Sequence, residues 1–391
     1  MIRSVSARQK ERAFAEVKRA SISGLEGPEL LSRVAQGLGR AVPFDAYCAS
    51  TVDPATNLMT HGVAEGMGEG GAEDGDVFFD RVYFEESLGR ISSMLRERRP
   101  AESLSEATGG RPELSLRYRE LLEPLGFAHE VSSLFADGGG LWGGMDLIRR
   151  ADAPDFDASE VRLLKGVAPH VGAGLKVAAL RSRATTAHDG PDVPGVLTLD
   201  CEGRILSHTP AARRWLEDLE DLHPAWREND PPVPVRMVAG ALRRALSPET
   251  DWDLDLVPRA RMRGRSGRWI ALYGSLTESS SGRPGETVVV IEPAKPEEAA
   301  WLNAAAYGLS PREEAAVKLV ARPVHQADSG DPVHLRVHRS VPPTERLREG
   351  GREEPPRANQ APVLREPLAQ HARRLGQHAR CGPPRTAIAN S

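Results

Sequence analysis

The sequence predicts an α+β fold: two mixed helix-and-strand units in series, then the opening of a helical third unit, then a tail with no core. Three observations predict it. "FDAYCASTVDPATNLMTHGVA" and "EVSSLFADGGGLWGGMDLIRR" each read as strand, turn, strand. Amphipathic helical segments precede the first and follow the second, the layout of a packed α+β unit. A further strand–turn–strand–helix pattern appears after position 194. With 391 residues the chain is also long for one core, which suits two or three compact units.

The first unit spans about 25–180. "PELLSRVAQGLGRAV" sets Leu30, Leu31, Val34, Leu38 and Val42 at helical spacing. The turn of the first hairpin is the run Asp53 to Asn57. The second hairpin joins Val131–Phe135 to Leu141–Ile148 through a glycine-rich reversal. "DASEVRLLKGVAPHVGAGLKVAAL" closes the unit as a helix capped by Asp157 or Ser159. Residues 181–193, within "RSRATTAHDGPDVP", have no periodicity and read as an accessible linker.

The second unit spans about 194–294. "GVLTLDCEGRILSHTPAARRWLEDL" gives strand, Glu-Gly turn, strand and helix, with Thr209 and Pro210 at the helix start. "RSGRWIALYGSL" and "GETVVVIEPA" add two strands. Arg259, Arg261, Arg263 and Arg265 recur every second residue. That spacing places them on one strand face, read as solvated rather than as a polyanion patch.

Composition sets limits. The chain is 40% hydrophobic and 27% charged with a formal net charge of −4, and no apolar run approaches the roughly 18 to 20 residues of a membrane span. The first twenty residues lack the apolar run of a signal peptide, so a cytoplasmic location and no membrane partner are expected. Cys48, Cys201 and Cys381 are too few and too scattered for a disulfide framework or a thiolate metal site. The averages hide a split: residues 323–391 hold 11 Arg, no Lys and 7 acids, with no Phe, Tyr, Trp or Met. Such a segment cannot bury enough apolar surface to offset its ordering entropy, so disorder is expected.

The chemical motifs are weak. "GGGLWGG" lies between strands without a following Lys-Ser or Lys-Thr, so it reads as a hairpin turn and not a phosphate cradle. "GEGGAEDGD" does not have calcium-loop spacing. His371, His378 and Cys381 fall in the coreless tail, which gives them no fixed geometry for a metal. No nucleophile elbow or paired-carboxylate setting stands out. No catalytic residue, cofactor or metal is expected, and the chain reads as a non-enzyme.

The helical opening is the most specific signal. In "AAYGLSPREEAAVKLVAR", Ser310 can cap a helix, Pro311 suits its first turn and Glu313 completes a capping box. Ala316, Val317, Leu319 and Val320 form the apolar stripe, with Arg312, Glu313, Glu314 and Lys318 largely outside it. This stretch resembles the first helix of the LuxR-type (GerE-like) helix-turn-helix domain, which opens with Leu-Ser/Thr-Pro-Arg-Glu and an aliphatic stripe. The layout of 25–180 and its "GGLWGGMDLIRR" strand resemble a GAF domain, a small-molecule-binding or dimerising module. The strand order of 194–294 resembles a PAS-like fold. Together they resemble actinobacterial regulators in which GAF-like and PAS-like regions precede such a DNA-binding domain.

That resemblance implies a scaffold helix and a recognition helix after 308–322, and the sequence departs from it at Pro323. Synonymous codons exist for Pro323 to Gly351 whose translation, shifted by one base, reads "PFTKQIAETLFISEYTVQCHLRNVFEKVG". Those are the missing helices in order, so the resemblance implies a one-base frameshift near Arg322 and an out-of-frame tail. The expected function is a one-component transcription regulator with impaired DNA reading, since no base-contacting residue remains in the chain as written. Its expected partners are DNA, a small-molecule or protein signal, and a second copy of itself. The alternatives are a sensory or dimerisation protein that does not bind DNA, and an enzyme using the GAF-like pocket.

Overall fold

Two five-stranded antiparallel sheets form in turn along the chain, and both have the same internal strand order. The structure, a computed structural model, describes residues 5–67, 78–138, 140–181, 193–200, 203–219, 231–246, 258–277 and 286–295. The expected α+β class is what these residues adopt. The first-helix residues Ser310, Pro311, Arg312, Glu313, Val317, Leu319 and Val320 lie outside the described residues, as do 323–391, 182–192 and the acidic loop 68–76.

The first sheet runs β2-β1-β5-β4-β3. It comprises β1 (Ala46–Val52), β2 (Met59–Glu65), β3 (Ala101–Ser103), β4 (Phe127–Asp137) and β5 (Gly140–Arg150). Three helices cover one face: α1 (Ala7–Ile22), α2 (Gly27–Leu38) and α5 (Ala158–Leu180). Leu31, Val34, Leu164, Val167 and Val171 meet Tyr47, Val131, Phe135 and Leu147 in one core. Helix α1 carries a Ser6–Gln9 capping box and adds Val17 to this core, so the helical layer begins at Ala7, ahead of the unit start expected at 25. Asp157 caps α5, accepting from the backbone N–H groups of Ser159 and Glu160. Gly172 lets α5 approach β4, because a Cβ there would sit 2.7 Å from the Ala136 carbonyl oxygen.

The opposite sheet face carries a roof. It is made of a wide-turn helical segment Phe78–Ser87, α3 (Leu88–Arg96), α4 (Leu104–Thr108) and a second wide turn, Tyr118–Leu122. Tyr83 fixes the roof to the first hairpin by donating its hydroxyl to the Asn57 carbonyl at 2.6 Å.

The second sheet runs β7-β6-β10-β9-β8. Its strands are β6 (Gly195–Leu199), β7 (Ile205–His208), β8 (Arg259–Arg263), β9 (Trp269–Leu276) and β10 (Thr287–Pro293). Helix α6 (Pro210–Leu219) starts at Pro210, where the Thr209 hydroxyl accepts from the Ala212 N–H at 3.2 Å. Helix α7 (Val233–Leu246) is buried at every position from Val233 to Leu242. A helix apolar on all sides needs partners on all sides. It packs on the second sheet and on the roof of the first unit, so Leu58, Tyr83, Phe84 and Leu88 share one core with Trp215, Met237, Val238, Leu272 and Ile291. Gly240 marks the contact: a Cβ there would fall 2.3 Å from the Phe84 ring.

The solvated arginine face is corrected here. Arg261 is 4% exposed and binds Asp53, itself 1% exposed in the first hairpin turn. Asp53 Oδ2 accepts from the Arg261 backbone N–H at 2.9 Å and from Nε at 3.1 Å. Arg265 lies beyond β8 and is exposed. Alternation located the strand, but the partner that buries Arg261 is 208 residues away in sequence.

Removing one member of a buried ion pair strands the other's charge. Asp53→Ala is therefore expected to lower the unfolding free energy by about 3–5 kcal/mol in urea titration. A loss under about 1 kcal/mol, the size of a surface pair, would contradict this account of the junction.

Candidate functional site

Between the first sheet and its roof lies a cavity of about 450 Å³, within the range of roughly 300–1,000 Å³ usual for small-molecule sites. Its floor follows from strand alternation. Cys48, Asp146, Ser132 and Glu102 pair across four adjacent strands, so they form one row on the face opposite the helical layer. Ser50, Gly144 and Leu134 form the next row. The roof contributes Phe78, Phe79, Tyr83, Ile91 and Met94, and Val233 at the start of α7 lines the same space.

A buried ionic cluster closes one end. Glu130 is fully buried on β4, with Oε2 accepting from Arg117 Nε at 2.5 Å. Its Oε1 takes a longer contact from Arg90 Nη1 at 3.4 Å and a hydrogen bond from the Ser132 hydroxyl at 3.3 Å. Arg117 Nη2 also donates to Asp146 Oδ2 at 3.1 Å, and its guanidinium lies 5.1 Å from the Phe78 ring centre. Arg90 reaches Glu102 as well, through Nε at 3.5 Å and through the backbone carbonyl at 3.2 Å. Glu86 caps the turn that carries Arg117, accepting from the Ser115 hydroxyl at 2.6 Å and from the Leu116 N–H.

These contacts decide protonation. Burial alone would raise the pKa of Glu130, but Arg117 and Arg90 outweigh it and hold the carboxyl below the usual range. Burial would favour neutral Arg117, yet Glu130 and Asp146 keep it firmly charged. For Asp146 burial wins over Arg117, and nearby Glu130 adds to it, so its pKa is raised. Burial pushes the Cys48 thiol up to about 12, against the pull of Arg117. A thiol so held is not a nucleophile at neutral pH.

Among the described residues no group of three or more His, Cys, Asp or Glu side chains is placed to hold a metal, and no helix is long and apolar enough to cross a membrane. "GGGLWGG" forms the β4–β5 reversal, as its position between strands predicts. The sequence reading named none of Arg90, Arg117, Glu130 or Asp146. Two of them left a signal: Glu130 and Asp146 interrupt apolar strands that pair on both edges, where a charge must have a buried partner. Arg90 and Arg117 left none, because charged helical turns are ordinary surface sequence.

No family model matches the chain, and no curated protein matches it. Solved structures do match. The GAF domain/HD domain protein from Geobacter sulfurreducens is 18% identical, with a TM-score of 0.31 over 41% of this chain and 98% of that chain. A chain of the E. coli DhaR(N)–DhaL complex is 12% identical, with a TM-score of 0.21 over 75% of this chain and 92% of that chain. Scores this low carry no argument, so the site is read from its own geometry.

The position of Cys48 makes a direct test. Iodoacetamide at pH 8 is expected to leave Cys48 unmodified in the folded protein and to alkylate it in urea, read by peptide mapping. Equal labelling in both states would mean that the sheet face is open to solvent.

Proposed function

We propose that the chain is a sensory protein of the one-component transcription-regulator type. A GAF-like unit over 25–180 takes up a small-molecule signal and a PAS-like unit over 194–294 responds to it. The observation that carries the sensing part is the cavity itself. It has an apolar wall and a structured polar end, and Val233 from the second unit's α7 lines it beside strands of the first. A ligand there touches both units, so its binding energy can favour one arrangement of the pair over another. The polar end can orient a ligand, and its Glu130 and Glu86 carboxylates are taken up by arginines and turn donors, which favours binding over catalysis. A cytoplasmic location fits this role.

The DNA-binding part rests on the sequence from Leu309 to Arg322 and on the frame-shifted reading that follows it. In the chain as written, a first helix without its scaffold and recognition helices has no side chains to present to base edges. The second reading, a sensor or dimerisation protein without DNA binding, is favoured by that same truncation.

A shift assay at physiological salt against a randomised oligonucleotide pool separates the two. The chain as written should show only weak, salt-sensitive binding, from the surplus arginines after position 323. The chain with the frame restored after Arg322 should enrich one sequence, as a dimer on paired half-sites. Failure of the repaired chain to select any sequence rejects the family assignment, and selection by the unrepaired chain rejects the truncation.

A further inference from the structure

The cavity has a sign. Two guanidiniums, Arg90 and Arg117, line it against three carboxylates: Glu86, Glu130 and Asp146. Glu102, in the same row as Asp146, pairs with Arg99 and adds no net charge to that balance. Two of the three are fully occupied: Glu130 holds both guanidiniums, and Glu86 caps the turn at Ser115–Arg117.

Asp146 differs. It takes the weaker share of Arg117, 3.1 Å against the 2.5 Å of Glu130. Some 27% of its side-chain surface is open, against 5% for Arg117 and none for Glu130. It sits at the middle of the sheet face, with β1 on one side and β4 on the other, so that open surface faces the cavity. Its raised pKa points the same way: desolvation, with the nearby Glu130 charge, outweighs the pull of Arg117.

We propose that the cavity binds a small apolar molecule bearing one cationic N–H donor, an amine headgroup seated on the Asp146 carboxylate. The apolar body lies among Met59, Met94, Leu134 and Leu141, on the wall away from the ions. A carboxylate headgroup would add a fourth negative charge to the lining. A hydroxyl would hydrogen-bond Asp146 but bring no charge. The amine supplies both, and charge-assisted hydrogen bonds are the stronger kind.

This inference rests on reading the cavity as a ligand site, and the test keeps the two apart. The full chain is titrated calorimetrically with octylamine, octan-1-ol and octanoate, which share one apolar body and differ in headgroup. Octylamine should bind at one equivalent per chain, about tenfold more tightly than octan-1-ol, with octanoate weakest. Asp146→Asn should bring octylamine to within about twofold of octan-1-ol while the alcohol is unaffected. If that variant fails to fold, the ranking in the unaltered chain decides alone. Octanoate binding as tightly as octylamine overturns the cationic class but leaves the cavity a ligand site. An amine preference that survives in folded Asp146→Asn overturns the role of Asp146. No binding by any of the three overturns both this inference and the reading of the cavity.

Discussion

The buried carboxylate of Glu130 is the constraint from which the first unit's architecture follows. A fully desolvated carboxylate on an inner strand costs several kcal/mol unless cations reach it. The cations that reach it, Arg117 and Arg90, come from outside the sheet. They arrive on two helical segments, Leu88–Arg96 and the turn beginning near Tyr118, which are thereby drawn over the sheet. Arginine suits this role because its planar fork can serve two acceptors at once, as Arg117 does for Glu130 and Asp146. Held at the ionic end and packed through its own Met94 on Leu134 and Leu141 at the other, the roof leaves space beneath it.

The second unit completes that enclosure. Helix α7 is too apolar to be a surface helix, and it packs against both the roof and its own sheet. Gly240 allows the approach to Phe84, and the Asp53–Arg261 pair locks the first hairpin turn to the edge strand of the second sheet. Val233 of α7 lines the cavity, so the cavity wall and α7 are in contact, as the proposed sensing role requires.

Local pattern carried much of the fold. The hairpins, α2, the Asp157 cap, the glycine-rich reversal and the Thr209–Pro210 helix start all depend on neighbours a few residues apart, and they lie where the sequence puts them, except that α2 stops at Leu38 short of Val42. What depends on distant partners was not legible. The period-two spacing of Arg259, Arg261 and Arg263 gave the strand but could not reveal that Arg261 meets Asp53. "VPVRMVAGALRRAL" is apolar nearly all round, so its period says little about which face meets what, and its burial comes from two units at once. The site was the least legible part. Glu130 and Asp146 are visible as charges inside apolar strands, but their arginines come from segments that read as ordinary surface helix.

The central claim, that charge compensation of Glu130 holds the roof in place, is tested by amide hydrogen exchange on Glu130→Gln. Glutamine keeps the shape and loses the charge. The account predicts about tenfold or greater loss of protection at Leu88–Arg96 and Tyr118–Leu122, with the β1–β5 ladder unchanged. Unchanged protection in both roof segments would mean that apolar packing alone holds the roof, and would contradict it.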